Sequence, residues 1–274
     1  MTLMPTTQHK DMGFTLIELM ITMVISCLVL GGIYMTFNSQ SKSYLVQDDV
    51  AAMQQNVRAG VHYLESEIRM AGYNPGGVVP APTITAAASN SITFRMDDGT
   101  GTGTITTYTY SYNNANRALD RNIGGGALPV AEDIQALGFA YAYDADADNQ
   151  IDTYTDATGQ DRIIWAVPSG GNWFNLDTNN DGIINDNDSP NPGASVTQAL
   201  VGVNTGDSVN LDEIRAVRIS LLARAEAGDS SFANNSIYIV GNQKIAPLND
   251  GDTSNDDCRM RLLTTMVMCR NMGL

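Results

Sequence analysis

Hydrophobic positions along this chain follow two different patterns before residue 74. From Leu19 to Phe37 the sequence is predominantly apolar and holds no Asp, Glu, Lys or Arg. A bilayer core of about 30 Å needs about 20 such residues in a helix, and this run has that length. Further on, Val46, Val50, Met53, Val57, Val61, Leu64 and Ile68 recur at spacings of three and four, which marks one apolar stripe on a helix. Asp48, Asp49, Gln54, Gln55, Arg58, Glu65, Glu67 and Arg69 fall between them and suit a solvated face. No proline interrupts from Phe14 to Tyr73. The pattern predicts one helix of roughly 58 residues, about 87 Å at 1.5 Å per residue. Gly31 and Gly32 are its weak point, costing about 1 kcal/mol each against alanine. Gly72 and Pro75 supply the stop.

After the helix the period changes to two. Asn74 to Ser89, rich in Pro, Gly and Ala, reads as a connector. Ser91 to Met96 alternates, Asp97-Asp98-Gly99 turns the chain, and Gly103 to Tyr112 returns as a Thr/Tyr-rich strand. Gly124-Gly125-Gly126 closes this unit. Further strands are expected at Ile134 to Tyr143, Ile163 to Val167, Ile214 to Ala223, Ser236 to Val240 and Met260 to Met268. The fold class is therefore α+β, a long helix against a mostly antiparallel sheet. The stretch between Tyr143 and Asn210 lacks periodicity, and aperiodic segments of that size usually carry function or disorder.

Charge narrows the function. The 274 residues carry a formal net charge of -15, with a pI near 4.3. That balance excludes nucleic-acid binding through a basic footprint, and it favours cations. Asp177, Asn179 and Asp181 place oxygen side chains at positions one, three and five of a calcium-loop template, with Gly182 at the sharp turn. Ile183 would offer its carbonyl, Asn185 the ninth position and Asp188 the last, with Ile184 pointing inward as an apolar anchor. Asp144, Asp146, Asp148, Gln150 and Asp152 form a poorer copy. There Asn149 replaces the glycine, and Thr155 stands twelfth with Asp156 one place late. Asp250, Asp252, Asp256 and Asp257 read as a solvated acidic loop. Ca2+ is the cofactor these oxygen donors suit.

Catalysis finds little support. The two histidines are His9, near the start, and His62, on the helix. Neither a zinc helix motif, a phosphate-cradling loop nor a nucleophile elbow is present. Three cysteines remain. Cys27 lies in the apolar run. Cys258 and Cys269 would pair if the domain occupies an oxidising compartment, and are otherwise two free thiols.

The stretch from Lys10 to Leu19, with its glycine, its phenylalanine and its one carboxylate ahead of the apolar run, resembles the cleavage and methylation signal of type IV pilins and pseudopilins. An ordinary secretory signal fits poorly, because no small-x-small site comes after the run and the run is longer than the usual 7–15 residues. The resemblance implies cleavage by prepilin peptidase between Gly13 and Phe14, and methylation of Phe14. It also makes Glu18 the partner of an N-terminal amine during assembly, since a carboxylate at membrane depth is tolerable only when paired. Glu67 to Pro75, Ile214 to Arg224, and Arg261 to Val267 with Arg270-Asn271 resemble segments of PilW-like minor pilins, in the same order.

That resemblance implies a type IV pilin fold in four parts. They are a leader at 1–13, a transmembrane and filament-core helix at 14–37, an amphipathic half at 38–73, and a β-rich periplasmic or extracellular head at 74–274. The chain would be a structural, non-enzymatic subunit. It would sit in the inner membrane and later in a pilus, partnered by other pilins and a tip adhesin. A minor pseudopilin of a type II secretion system shares these features. A signal-anchored calcium-dependent adhesin or surface enzyme would lack the cleavage.

Overall fold

The rod expected from the apolar pattern is a single helix, α1, Leu16–Arg69, in the computed structural model of this chain. The structure describes residues 13–100, 103–188, 203–206, 209–249, 253 and 256–272. The leader through Met12 with His9, and Asp250 and Asp252 of the third acidic cluster, lie outside the described residues. Asp256 and Asp257, both partly buried, sit in a loop whose carbonyls accept from the N–H groups of Asn234 and Asp229.

Two compact units divide the chain, one up to Asp48 and one from Asp49 to Leu274. In the first, α1 opens with a capping box. Thr15 Oγ1 accepts from the Glu18 N–H at 3.3 Å, and Glu18 Oε2 accepts from the Thr15 N–H at 2.9 Å. Two orphan donors of the first turn are thereby satisfied. Beyond it the large apolar side chains from Leu16 to Phe37 are exposed, and the segment is long and apolar enough to cross a membrane. The hydroxyls of Thr22, Ser26 and Thr36 donate to the carbonyls of Leu19, Thr22 and Gly32. These three groups thus need no water.

In the second unit the apolar stripe is buried at Met53, Val57, Val61, Leu64 and Ile68. Gly60 lies on the same stripe, and a Cβ there would meet Ala131 Cβ at 3.0 Å and Leu221 Cδ2 at 3.1 Å. The helix therefore approaches both sheets of the head at its smallest residue. Gly72, in the left-handed region at φ 77°, ends the helical segment as such glycines do.

The first sheet is an antiparallel meander of β1 Ile84–Ala87, β2 Ser91–Asp97, β3 Ile105–Asn113, β4 Ala118–Asn122 and β5 Ala127–Ala131. Sequence reading takes Ile84–Ala87 for connector and the three glycines for an end. They are an edge strand and the bend between β4 and β5. Glu67 of α1 grips this sheet through Arg121 Nη2 at 2.5 Å and the Tyr110 hydroxyl at 2.5 Å. Burial, followed by the Glu67 bond, pushes the Tyr110 phenol far up.

Six strands make the second sheet: β6 Ile134–Tyr143, β9 Ala166–Ser169, β10 Asn172–Asn175, β11 Val203–Asn204, β12 Ile214–Arg224 and β15 Met260–Met268. Their order is β11-β10-β9-β6-β12-β15. The expected strands at β6 and β15 have these same bounds. Two hairpins stand apart, β7 Thr153–Thr155 with β8 Asp161–Ile163, and β13 Tyr238–Val240 with β14 Gln243–Ile245.

Period-two alternation splits β6 and β12 between two faces. Leu137, Phe139, Tyr141, Val217, Ile219 and Leu221 join the core that contains the helix stripe. Ala136 and Leu222 pack with Val240 and Ile245 of the second hairpin. Ala140 packs with Val167 and Leu176, against which Trp165, Ile184 and Ile239 rest. The face away from the helix thus carries the second hairpin and the segment from Leu176 to Ile184.

The expected Cys258–Cys269 disulfide is corrected by this topology. The two residues flank β15, which is extended between them. Eleven residue steps at about 3.3 Å put them roughly 36 Å apart, whereas a disulfide needs Cα atoms within about 7 Å. Neither cysteine is in a disulfide and both are buried, and desolvation pushes the Cys269 thiol up to about 12. Reducing and non-reducing electrophoresis should therefore give the same monomer band. Thiol titration after denaturation should count all three cysteines. Two missing thiols in a monomer would contradict the strand.

Candidate functional site

The best match to the calcium template comes after β10 and bends as the template requires. Asp177 Oδ2 accepts from the Gly182 N–H at 2.7 Å, and its Oδ1 from the Asp181 N–H at 3.3 Å. Asn179 Oδ1 accepts from the Asp181 N–H at 3.0 Å, and Asp181 Oδ1 from the Ile183 N–H at 2.8 Å. Asp188 closes the loop, accepting from the Thr178 and Asn185 N–H groups at 2.8 Å each. Ile184 anchors inward against the Ala140 cluster, as its alternation with exposed Ile183 leads one to expect. Asp186, outside the ligand pattern, is ion-paired to the buried Lys244 of β14.

The second loop repeats this scheme at equivalent positions. Asp144 Oδ1 accepts from the Asp148 N–H at 3.1 Å, Asp146 Oδ1 from the same N–H at 3.2 Å, and Asp148 Oδ1 from the Gln150 N–H at 2.7 Å. Backbone conformation matches too. The fourth and sixth residues have positive φ in both loops: Ala147 59° and Asn149 65°, against Asn180 56° and Gly182 84°. Asparagine tolerates this region better than most residues, so the missing glycine does not change the bend.

The second loop departs from the template at its end. Asp152, the ninth residue, accepts from the Ala145 N–H at 3.1 Å, which is the role Asp188 plays toward Thr178. The loop is closed three residues early. Asp156 is therefore corrected: it is not part of this loop. Its oxygens accept from the Thr158 hydroxyl at 2.6 Å, the Gln160 N–H at 2.9 Å and Arg162 Nε at 2.8 Å. Those bonds, Thr158 first, hold its carboxyl far below the usual range. Gln150 turns its amide onto Asp148 Oδ2 at 3.1 Å, away from a ligand role for its side chain.

The poorer sequence match also has the more concentrated charge. Asp144, Asp146 and Asp152 bring carboxylate oxygens within 4.8 Å of one another. Asp177, Asp181 and Asp188 do not form such a group in the described structure. Asp177 is instead bonded to the Tyr154 hydroxyl, which burial and that bond shift far up. Asp144 is buried, with Oδ2 free of hydrogen bonds and Arg215 Nη2 3.5 Å away. Hard oxygen donors, several of them charged and crowded, suit calcium, so both donor sets fit that ion chemically.

In the first unit, Gly13, Phe14 and Glu18 stand at the head of the exposed apolar helix, with no large side chain of the described residues packed on Phe14. An apolar surface of that extent marks a contact with lipid or protein.

Comparison with known proteins bears on both regions. The prokaryotic N-terminal methylation motif matches residues 11–34. The family described as type IV pilus-assembly protein W, PilW, matches residues 100–271. A solved type IV-like pilin from Thermus thermophilus is similar over 80% of this chain and 98% of its own, at 13% identity and a TM-score of 0.37. No curated protein matches the chain. A methylation signal leading an exposed apolar helix, with a head matched over most of its length behind it, has one reading: the chain belongs to the PilW family of type IV pilus-assembly proteins and is a minor pilin.

Proposed function

We propose that this chain is cleaved between Gly13 and Phe14 by prepilin peptidase, methylated on Phe14, and built into or at the tip of a type IV pilus as a structural, non-enzymatic subunit. The observation that carries this reading is the bare apolar run from Phe14 to Phe37 with one carboxylate, Glu18, at its start. In the bilayer the run holds the subunit in the inner membrane, with the head in the periplasm. In the filament it exchanges lipid for the matching helices of other pilins, and the head reaches the cell surface, where a tip adhesin is a fitting neighbour. Glu18 pairs with the amine of a Phe14, its own or a neighbour's, because an unpaired carboxylate costs about 2.5–3.5 kcal/mol at membrane depth.

Calcium shapes the head in this reading. Asp144, Asp146 and Asp152 would hold one ion with help from Asp148. Asp177, Asn179, Asp181, the Ile183 carbonyl, Asn185 and Asp188 would hold a second. A bound cation neutralises carboxylates that otherwise repel one another, and its binding free energy orders the loops.

Glu18→Ala tests assembly. The variant should be cleaved yet absent from sheared filaments, with the chain remaining in the membrane. Incorporation at the unmodified level would remove the central residue of the proposal.

A further inference from the structure

Beside the Asp177 loop lies a cleft of about 320 Å³ whose lining includes Tyr154, Asp161, Arg162, Trp165, Ile184 and Arg218. Its two guanidinium groups differ. Arg162 is bonded to Asp156 at 2.8 Å. Arg218 makes no hydrogen bond and no ion pair among the described residues. It rises from β12 between Ala140 of β6 and Met266 of β15, on the face away from the helix. Burial alone lowers its affinity for a proton.

Arg218 is half-buried and faces the cleft with no acceptor of its own among the described residues, which is unusual in a chain with twice as many acidic as basic residues. The planar fork of a guanidinium is shaped for a carboxylate, which it takes through two parallel bonds. The walls add two further requirements. Trp165 is half-buried and presents an aromatic surface, while Asp161 is exposed and its carboxylate can accept from hydroxyls. The volume is at the low end of small-molecule sites, roughly 300–1,000 Å³, so it holds one ring rather than a length of polymer backbone.

We infer that this cleft binds a single carboxylate-bearing sugar residue, its carboxylate on Arg218, its ring against Trp165 and its hydroxyls toward Asp161. Nothing in this assignment requires metal in the neighbouring loop, although Asp177 lies beside both.

The test titrates D-galacturonate, D-galactose and acetate into the full chain, held in a non-ionic detergent without a sugar headgroup. Calorimetry and tryptophan fluorescence are read with calcium and again with chelator. Galacturonate should bind saturably in at least one buffer, with the millimolar Kd expected of so small a ligand. Galactose and acetate should each bind at least tenfold more weakly. Arg218→Gln should lose at least tenfold in affinity with its melting temperature unchanged or raised, and Arg218→Lys should recover part of it. Galacturonate binding in neither buffer, equal binding by Arg218→Gln, or equal binding of acetate would each overturn the inference. A short peptide carboxylate that binds where galacturonate does not would overturn it as well.

Discussion

Removing calcium from the full chain should lower its melting temperature by roughly 5–11 °C. An ion that binds only the folded state, present at a hundred times its Kd, contributes about 2.7 kcal/mol. For a chain of 150–250 residues each kcal/mol moves the midpoint by about 2–4 °C. The source of the effect is visible in the second loop, where three carboxylates lie within 4.8 Å of one another. Without a cation that cluster is repulsive. Asp146→Asn separates the electrostatic effect from simple loss of structure. Its amide oxygen keeps the acceptor that the Asp148 N–H uses at 3.2 Å, while one charge is removed. The variant's melting temperature in chelator should hold or rise, and its gain on adding calcium should shrink. Identical melting curves of the unmodified chain in calcium and in chelator would refute the metal reading.

The second large effect is expected at Gly138. This residue sits mid-strand in β6, and Gly241 of the β13–β14 turn lies directly over it. A Cβ on Gly241 would come within 2.9 Å of Gly138 Cα, and one on Gly138 would overlap the backbone of Val240 and Gly241. Backbone cannot rotate away as a side chain can. Gly138→Val must therefore lift the hairpin. That strips Val240 and Ile245 from Ala136 and Leu222, and it pulls the buried Lys244 off Asp186. Overpacking costs about 1–3 kcal/mol, and breaking a buried ion pair about 3–5 kcal/mol. Against a total stability of about 5–15 kcal/mol, the variant should be largely unfolded or aggregated at 37 °C. Denaturant unfolding checks this, and a midpoint within error of the unmodified chain would mean the hairpin does not rest on β6.

Much of the fold is readable from residue types alone, and the rest escapes for a consistent physical reason. β6 and β15 are long strands, and β6 sets large side chains at Leu137, Phe139, Tyr141 and Tyr143 against small ones between them, a pattern strong enough to set its ends. The helix stripe from Met53 to Ile68 is legible for the same reason. Strand β1, four residues of Ile, Thr and Ala beside a proline, has too little apolar contrast to stand out from a connector. The calcium template locates both loops because Asx turns are local. It fails at Asp156 because the choice between Asp152 and Asp156 depends on which one the Ala145 N–H can reach once the chain has folded back. Sequence spacing also suggests a disulfide, since eleven residues look close until a strand extends them. The capping role of Thr15 is available in the Thr-x-x-Glu spacing but is masked by the membrane reading of Glu18. Arg218 has no sequence signal at all. In the strand pattern it is one more polar alternate, and only packing half-buries it beside the cleft.

The mass of the chain recovered from the cell's membranes bears most directly on whether this is a processed pilin. Maturation as described gives a polypeptide that starts at Phe14 and carries one additional methyl group on its amino terminus. A recovered chain that still holds residues 1–13 would contradict both the processing and the assembly built on it.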